Sequence, residues 1–309
     1  MAGFRVLWAS EFIPAAQETY RANYPDTILD TRDIRQVSAD DILEAIKMQP
    51  GDLDILDGSP PCASFSTAGK RDRGWGKVKQ YSDTKQRADD LFFEYARLLQ
   101  GLQPKVFVAE NVSGLVKGRA KGYFLEILST LKACGYNVEA KLLDAQWLGV
   151  PQMRQRLIFI GVRNDLERKP VHPKPLRYQY TLSNALENVS SYVEPETDIS
   201  RYAIGVEWDK LQPGDKSKKY QNLIKPHPDR PCNTITQTAG NLTAASVVHP
   251  TKKRKFSVAE LKRICAFPDD FVLTGNYSKQ VERLGRAVPP VMMMHIANAI
   301  YKDVLCTLK

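Results

Sequence analysis

Cysteine and histidine are scarce in this 309-residue sequence. The five cysteines and four histidines are dispersed along the chain, and no two cysteines have the C-x-x-C spacing. This dispersion excludes the disulfide framework of a small secreted protein and the closely spaced ligand set of a structural zinc site. We therefore expect a protein of a reducing compartment that contains no metal.

Long apolar runs are also missing. No run approaches the roughly 18 to 20 residues that a membrane span needs, and the opening residues lack the basic flank and apolar stretch of a signal peptide. These absences predict a cytoplasmic protein without a membrane partner. Enough apolar material remains for one large or two smaller domains, because 43% of the residues are hydrophobic.

Acidic residues are fewer than basic ones. The sequence has 35 Asp and Glu against 44 Lys and Arg, which gives a formal net charge of +9. A positive surface favours association with a polyanion. Among the possible partners, this balance indicates nucleic acid first.

The first 163 residues alternate between strand-like and helix-like patterns. Strands are predicted at 6–9, 54–56, 106–109, 137–143 and 157–162, and helices at 14–22, 39–48, 87–99 and 122–134. Such alternation predicts an α/β fold with a mostly parallel, Rossmann-like sheet. The connection from 143 to 157 is too short for a helical crossover, so we expect an antiparallel hairpin at the sheet edge.

Polar clusters follow several of the predicted strands. They are Glu11, the Pro60-Pro61-Cys62 stretch, the Glu110-Asn111 pair, and Arg154 with Arg156 at the start of the return strand. Ligands collect at the carboxyl ends of strands in such sheets. We therefore expect these four clusters to meet at one rim.

From about residue 164 to 277 the pattern changes. Prolines become frequent, helical periodicity weakens, and short β-like pieces occur at 234–238 and 245–248. We predict a smaller, irregular, β-rich domain here. Ser257 and Glu260 have capping-box spacing, and 290–308 predicts a helix whose apolar face contains Met293, Ala297, Ile300, Val304 and Leu308.

Cys62 by itself is ambiguous, because a lone cysteine is most often a small buried hydrophobe. Its setting favours chemistry: two prolines precede it, and a polar stretch with glycines and several cations follows at 67–77. Nearby cations favour the thiolate form that acts as a nucleophile. Glu110, at another strand end, is a candidate acid or base across the same cleft.

Six short motifs form an ordered series: G-S-P-P-C at 58–62, A-E-N-V at 109–112, P-Q-M-R-Q-R at 151–156, R-P-C-N-T-I at 230–235, R-K-F-S-V-A-E-L-K-R-I-C-A-F-P-D at 254–269, and G-R-A-V-P-P at 285–290. In this order and spacing the chain resembles the cytosine-5 DNA methyltransferases of prokaryotic or phage type. Because the series spans essentially the whole chain, the match is specific.

The resemblance implies a covalent mechanism on a cytosine flipped out of duplex DNA. Cys62 attacks carbon 6 of the base, Glu110 binds ring nitrogen 3 and the exocyclic amine, and Arg154 and Arg156 orient the base. The methyl group comes from S-adenosylmethionine. For this cofactor the resemblance implies six binding residues: Glu11, Asp33, Ile34, Pro60, Leu91 and Val288.

The resemblance also divides the chain. Residues 1–163 with 286–309 would form the catalytic domain, and 164–285 the target-recognition domain and hinge. The loop after Cys62 would close over the DNA, and residues 237–244 would reach the major groove. Candidate DNA contacts are Ser66, Lys70, Arg71, Arg230, Thr234, Gln237 and Arg254. Arg254 belongs to a basic run at 252–255 that suits contacts to backbone phosphates.

Two departures from the family pattern leave alternatives open. The sequence starts after the position of the family's glycine-rich F-x-G-x-G turn, and Arg286 stands where the family usually has Asn. Either the true start lies upstream, or a second polypeptide supplies the turn, or the chain binds cofactor poorly. A catalytically silent DNA-binding subunit and an RNA cytosine methyltransferase are the alternative functions.

Overall fold

The structure is a computed structural model that describes residues 1–60, 91–116 and 121–308, and the backbone of 79–81 and 84–86. Its strands are β1 (Trp8–Ser10), β2 (Ile28–Asp30), β3 (Ile55–Gly58), β4 (Lys79–Tyr81), β5 (Thr84–Gln86), β6 (Val106–Val112), β7 (Tyr136–Asp144) and β8 (Gln155–Arg163). Its helices are α1 (Pro14–Asn23), α2 (Ala39–Ile46), α3 (Leu91–Leu102), α4 (Lys121–Ala133), α5 (Leu182–Leu186), α6 (Ala203–Trp208), α7 (Val258–Ile264), α8 (Tyr277–Arg286) and α9 (Pro290–Asp303).

The strands form a mixed arrangement. β1 and β2 make a parallel pair, and the main sheet has the order β3-β6-β8-β7. β3 is parallel to β6, whereas β8 is antiparallel to both β6 and β7. The predicted edge hairpin is therefore confirmed. The prediction of a mostly parallel sheet is wrong for the described strands, because β8 returns directly from β7 and also pairs antiparallel with β6.

Helices cover both faces of the main sheet. On one face, α3 and α4 pack through residues such as Phe92 and Ile127 against Phe107 and Phe159. On the other face, α9 packs against β6 and β8 through Met292, Ile296 and Ile300, and Val304 follows directly after the helix, which ends at Asp303 and not at the predicted residue 308. The buried face of α9 thus begins at Met292, one residue before the predicted Met293, which is only partly buried.

Local signals in the sequence fix two of the helix starts. Ser38 accepts a hydrogen bond from the Asp41 amide (3.0 Å), and the Asp41 carboxylate accepts one from the Ser38 amide (3.0 Å). Ser257 and Glu260 form the same reciprocal pair at the start of α7. Each box satisfies backbone donors that have no partner within the helix, so α2 and α7 begin where the sequence predicts.

Residues 164–285 are irregular, as predicted, but they are not β-rich. Within this fully described range the structure contains short helices and only isolated bridges, such as Ile224 with Val247. The segment 234–238 forms no strand, because Ile235 binds side chains of another part of the chain, as described below. The interior of this segment packs through Leu182, Ile235, Phe256, Leu261 and Val281.

The described residues contain neither a membrane-spanning helix nor a cluster of metal-binding side chains. Among them no helix is long and apolar enough to cross a membrane. No group of three or more His, Cys, Asp or Glu side chains in that part of the chain is placed to hold a metal ion.

Candidate active site

The carboxyl ends of β3 and β6 bring two sequence motifs side by side. The strand register pairs Gly58 with Ala109, so Ser59 and Pro60 lie next to Glu110 and Asn111. Asn111, only 2% exposed, donates from Nδ2 to the Pro60 carbonyl (3.2 Å) and accepts from the Val112 amide (2.8 Å). Asn111 thereby fixes the backbone that leads to Cys62, which itself lies outside the described residues.

Tyr95 on α3 supports the same pair of strands from one face. Its hydroxyl group lies 3.1 Å from the carbonyl oxygens of both Leu56 and Val108. A Cβ atom on Gly58 would lie 2.7 Å from the Tyr95 ring, so a side chain at this position would displace the ring. Sequence reasoning did not single out Tyr95, because its partners are distant in the chain.

Glu110 and Arg156 form an ion pair at this rim. The Nε atom of Arg156 lies 2.6 Å from Oε1 of Glu110, and the two side chains are 14% and 13% exposed, respectively. Burial raises the pKa of Glu110, while Arg156, Arg154 and a hydrogen bond from Ser59 oppose that rise. The carboxyl group therefore holds a proton more readily than a solvated glutamate does.

Arg154 lies deeper than Arg156 and is 2% exposed. Its Nη1 donates to the Ile235 carbonyl (3.0 Å), and its Nη2 donates to the carbonyls of Gly285 (2.9 Å) and Arg286 (3.3 Å). Burial and the neighbouring Arg156 lower the pKa of Arg154 to about 10. Of the two predicted arginines, Arg156 contacts the Glu110 carboxylate, whereas Arg154 binds the backbone carbonyls of Ile235 and of residues 285–286.

Gln152 and Gly285 complete this junction. The fully buried Gln152 accepts from the Ile235 amide (3.3 Å) and donates to the Ile264 carbonyl (3.4 Å). A Cβ atom on Gly285 would lie 2.4 Å from the Thr236 carbonyl group. The backbones of α8 and residues 235–237 can therefore approach this closely only because residue 285 is glycine.

The candidate cofactor residues follow the parallel pair β1–β2. The Glu11 amide donates to the Asp30 carbonyl (3.0 Å), and Glu11 Oε1 accepts from the Ile13 amide (2.8 Å). Burial raises the Glu11 pKa, against the influence of the Ile13 amide, Arg283 and Arg286. The Asp33 carboxylate accepts from the Arg35 amide (3.0 Å), which caps a short turn, and forms an ion pair with Arg35.

The apolar members of that set are distributed over different parts of the fold. Leu91 is 9% exposed at the start of α3, and Ile34 packs with the α2–α3 cluster. Val288 packs instead with the cluster around α9. The structure places Pro60 against Asn111, as described above.

The predicted DNA contacts divide into three groups. Arg230, Thr234 and Gln237 are exposed. Arg254 is 8% exposed, and both its terminal nitrogens lie 2.7 Å from the Glu260 carboxylate. The predicted phosphate contact by Arg254 does not fit this placement, because its guanidinium is buried and paired. Ser66, Lys70 and Arg71 lie outside the described residues.

Comparison with known proteins assigns nearly the whole chain to one family. The family model for C-5 cytosine-specific DNA methylases matches residues 1–302. The chain is 32% identical to the type II methyltransferase M1.HphI of Haemophilus parahaemolyticus, over 97% of this chain and 82% of that protein. It is 31% identical to the type II methyltransferase M.Sau96I of Staphylococcus aureus, over 97% and 71% of the two chains.

Solved structures agree on the fold. A putative DNA modification methyltransferase encoded within an E. coli prophage superposes with a TM-score of 0.77 at 20% identity, over 98% of this chain and 94% of that one. A DNMT2 variant of Spodoptera frugiperda superposes with a TM-score of 0.67 at 18% identity, over 95% and 92%. With the family model and the relatives above, the match identifies the chain as an enzyme and a member of the C-5 cytosine-specific DNA methylase family.

Proposed function

We propose that this chain transfers a methyl group to carbon 5 of a cytosine flipped out of duplex DNA, through a covalent adduct with Cys62. The family's reaction is methylation of cytosine in DNA with S-adenosylmethionine as methyl donor. The observation that carries the proposal is the buried Glu110–Arg156 pair beside the Ser59-Pro60 backbone, two residues before Cys62.

In the first step the Cys62 thiolate forms a bond to carbon 6, and the displaced electron pair moves through the ring toward nitrogen 3. Glu110 stabilises that charge by donating a hydrogen bond or a proton to nitrogen 3. Its raised pKa supports this role, because a carboxyl group must hold its proton in order to donate it. Arg156 holds the Glu110 side chain at the rim.

Carbon 5 then becomes a nucleophile and takes the methyl group. When bound, S-adenosylmethionine supplies that methyl group as an electrophile and leaves as its demethylated thioether. A base removes the carbon 5 proton, the carbon 6–sulfur bond breaks, and Cys62 is released as thiolate. Nitrogen 3 returns to Glu110 any proton that it received in the first step. Arg154 contributes indirectly, since it holds Ile235 and Gly285 against the strand that carries Arg156.

The residues after β1 and β2 suit the nucleoside part of this cofactor. Glu11 uses Oε1 for the Ile13 amide, and its second carboxylate oxygen is suited to accept from ribose hydroxyls. Asp33 is suited to accept from the adenine amine, and Ile34 and Leu91 offer an apolar surface for the ring. Pro60 and Val288 complete the proposed pocket.

We further propose that residues 164–285 recognise the DNA sequence, while 1–163 with 286–309 carry out catalysis. The exposed side chains of 237–243 include Gln237, Thr238, Asn241 and Thr243. Amide and hydroxyl groups of this kind read base edges in the major groove. Thr234 and Arg230, which precede them, are exposed, and we propose that they contact phosphates.

The open edges of two strands bear on activity. Among the described strands, β1 pairs only with β2, and β3 pairs only with β6, so each has one edge without a described strand beside it. A parallel strand beside them would satisfy their free backbone groups. We propose that such a strand increases cofactor binding. In one version of this hypothesis, a second polypeptide supplies the strand. Calorimetry with S-adenosylmethionine, with and without an added F-x-G-x-G segment, would measure this effect.

The test of the covalent step uses duplex DNA that carries 5-fluorocytosine. Fluorine cannot leave carbon 5 as the proton does, so the adduct with Cys62 should persist and migrate as a protein–DNA complex under denaturing conditions. Wild type should form it, Cys62→Ser should not, and Cys306→Ser, which changes an exposed thiol, should behave as wild type. An adduct formed equally by Cys62→Ser would refute the assignment.

The acceptor is tested in a second assay, which measures transfer of labelled methyl groups. Relatives named as type II methyltransferases support DNA rather than RNA as substrate. Duplex DNA should therefore take up labelled methyl groups, and transfer RNA at the same concentration should take up few. Preferential labelling of the RNA would favour the alternative function.

A further inference from the structure

Lys255 has an environment that the proposed chemistry does not use. It is 1% exposed and is among the largest fully buried side chains described. Its ammonium lies 3.0 Å from the Ala239 carbonyl, 2.7 Å from the Asn241 carbonyl, 2.9 Å from the Ala244 carbonyl and 2.8 Å from the Ser246 hydroxyl. Among the described residues, no carboxylate forms an ion pair with it.

These acceptors all belong to one irregular segment, which we call the recognition loop (residues 237–246). Its own backbone bonds are short-range turns, such as Ala239 to Thr236 (3.0 Å) and Asn241 to Thr238 (3.0 Å). Among the described residues, no strand or helix amide binds the three carbonyls, and only the Asn241 carbonyl also accepts from a turn amide, that of Ala244 (3.2 Å). The ammonium supplies three N–H donors to this group, and burial lowers its pKa to about 8, so it remains mostly charged at neutral pH.

The inward carbonyls determine what faces outward. Gln237, Thr238, Asn241 and Thr243 are exposed, while Ala239, Gly240 and Ser246 are buried. A Cβ atom on Gly240 would lie 2.9 Å from Cα of Ser278, so the loop rests directly on α8. The last turn of the same helix contains Gly285, whose carbonyl accepts a hydrogen bond from Arg154. The loop and Arg154, which lies two residues before Arg156 in the sequence, therefore both contact α8.

We propose that Lys255 is a specificity-determining positioning residue that fixes the recognition loop in the shape in which its exposed amides and hydroxyls read DNA. This inference rests on the proposed function. It differs from an expectation based on the sequence, in which the basic run at 252–255 contacts phosphates, because the Lys255 ammonium binds protein carbonyls and not solvent.

A buried lysine with a merely structural role should leave the methylated sequence context unchanged. The chain offers such a lysine as a matched control. Lys225 is 6% exposed, donates to the Leu211 carbonyl (2.8 Å), and lies 3.4 Å from the centre of the Trp208 ring. Its ammonium thus faces residues 208–211 instead of the loop. Lys225→Met removes a comparable buried charge from the same part of the chain.

The experiment methylates unmodified plasmid DNA with wild type, Lys255→Met, Lys255→Gln and Lys225→Met, and sequences all cytosines for methylation. Wild type should mark cytosines in one sequence context. Lys255→Met should raise the KM for DNA at least tenfold, change kcat less than threefold, and spread methylation to related contexts. Lys255→Gln keeps two N–H donors, so its KM and its spread of contexts should lie between those of wild type and Lys255→Met. Lys225→Met should keep the wild-type context and KM.

Amide hydrogen exchange gives a readout that does not require activity, and it also serves if Lys255→Met folds poorly. Exchange in 239–246 should rise at least tenfold in Lys255→Gln without a comparable rise around Lys225. If wild type methylates no cytosine, the proposed function fails and this inference falls with it. If wild type is specific and both Lys255 variants keep its context, its KM and its exchange in the loop, the inference alone is overturned.

Discussion

The Nε atom of Arg156 lies 2.6 Å from Oε1 of Glu110, across the antiparallel pair that β8 makes with β6. The pair lies at the end of β6, where the Ser59-Pro60 backbone approaches from β3. Burial raises the pKa of Glu110 and lowers the pKa of Arg156, while each group opposes the shift of the other.

Glu110→Gln should therefore reduce methyl transfer about 100- to 1000-fold, because the amide keeps the shape of the carboxyl group but cannot neutralise charge at nitrogen 3 by proton transfer. Labelled methyl incorporation under single-turnover conditions measures the effect. Glu126→Gln, on the exposed face of α4, is the matched control and should be neutral. A rate within threefold of wild type for Glu110→Gln would contradict the assigned role.

Gly285→Ala should destabilise the protein and slow the reaction. The new methyl group would lie 2.4 Å from the Thr236 carbonyl. Because the atoms in contact belong to the backbone, no side-chain rotation can relieve this overlap. We expect a loss of about 1–3 kcal/mol in the free energy of unfolding. Gly122→Ala adds a methyl group with no atom within 4 Å, so in the α4 helix it should be neutral or slightly stabilising. Urea titration of both variants would show whether they differ in this direction.

Arg154→Met should lower the free energy of unfolding by about 2–4 kcal/mol, because buried carbonyls at Ile235 and Gly285 lose their donors. Arg168→Met is the control, since the Arg168 guanidinium also binds a backbone carbonyl, that of Thr307, but is exposed. Its unfolding free energy should stay within about 0.5 kcal/mol of wild type. Equal losses in the two variants would show that burial of these carbonyls does not matter.

His249 should make stability depend on pH. It is 5% exposed, its Nδ1 lies 3.0 Å from the Lys252 amide nitrogen, and Glu260 and Arg254 face it. Burial lowers its pKa from 6.5 to about 4, so its contribution is complete above pH 6.5 and is lost as the pH falls through 4. The full loss corresponds to about 3 kcal/mol.

Chemical unfolding of wild type and His249→Gln between pH 7 and 4 measures this contribution. The wild-type curve should fall more steeply, because glutamine can accept the same amide hydrogen bond but does not titrate. Parallel curves would mean that the imidazole is protonated as easily in the folded chain as in the unfolded one. His172 has a similarly lowered pKa and remains in both proteins, so it does not affect the difference.

The sequence alone determined the local elements and the family. Ser38 and Asp41 start a helix through their own backbone, and the short connection between β7 and β8 forces a hairpin, so these features need no distant partner. The ordered motifs placed Glu110 and Arg156 at strand ends, where the sheet brings them into contact. In each case the information lies within a few residues or in the alternation of strands and helices.

Only the tertiary structure decided the roles of Asn111, Tyr95, Arg254 and Lys255. A basic run in a sequence predicts a solvated surface, yet Arg254 pairs with Glu260 and Lys255 binds carbonyls of the recognition loop. The segment 234–238 reads as a strand, but Gln152, more than eighty residues earlier, takes the Ile235 amide. Buried polar groups must find partners, and which partner is in reach depends on how distant segments pack, which no local pattern encodes.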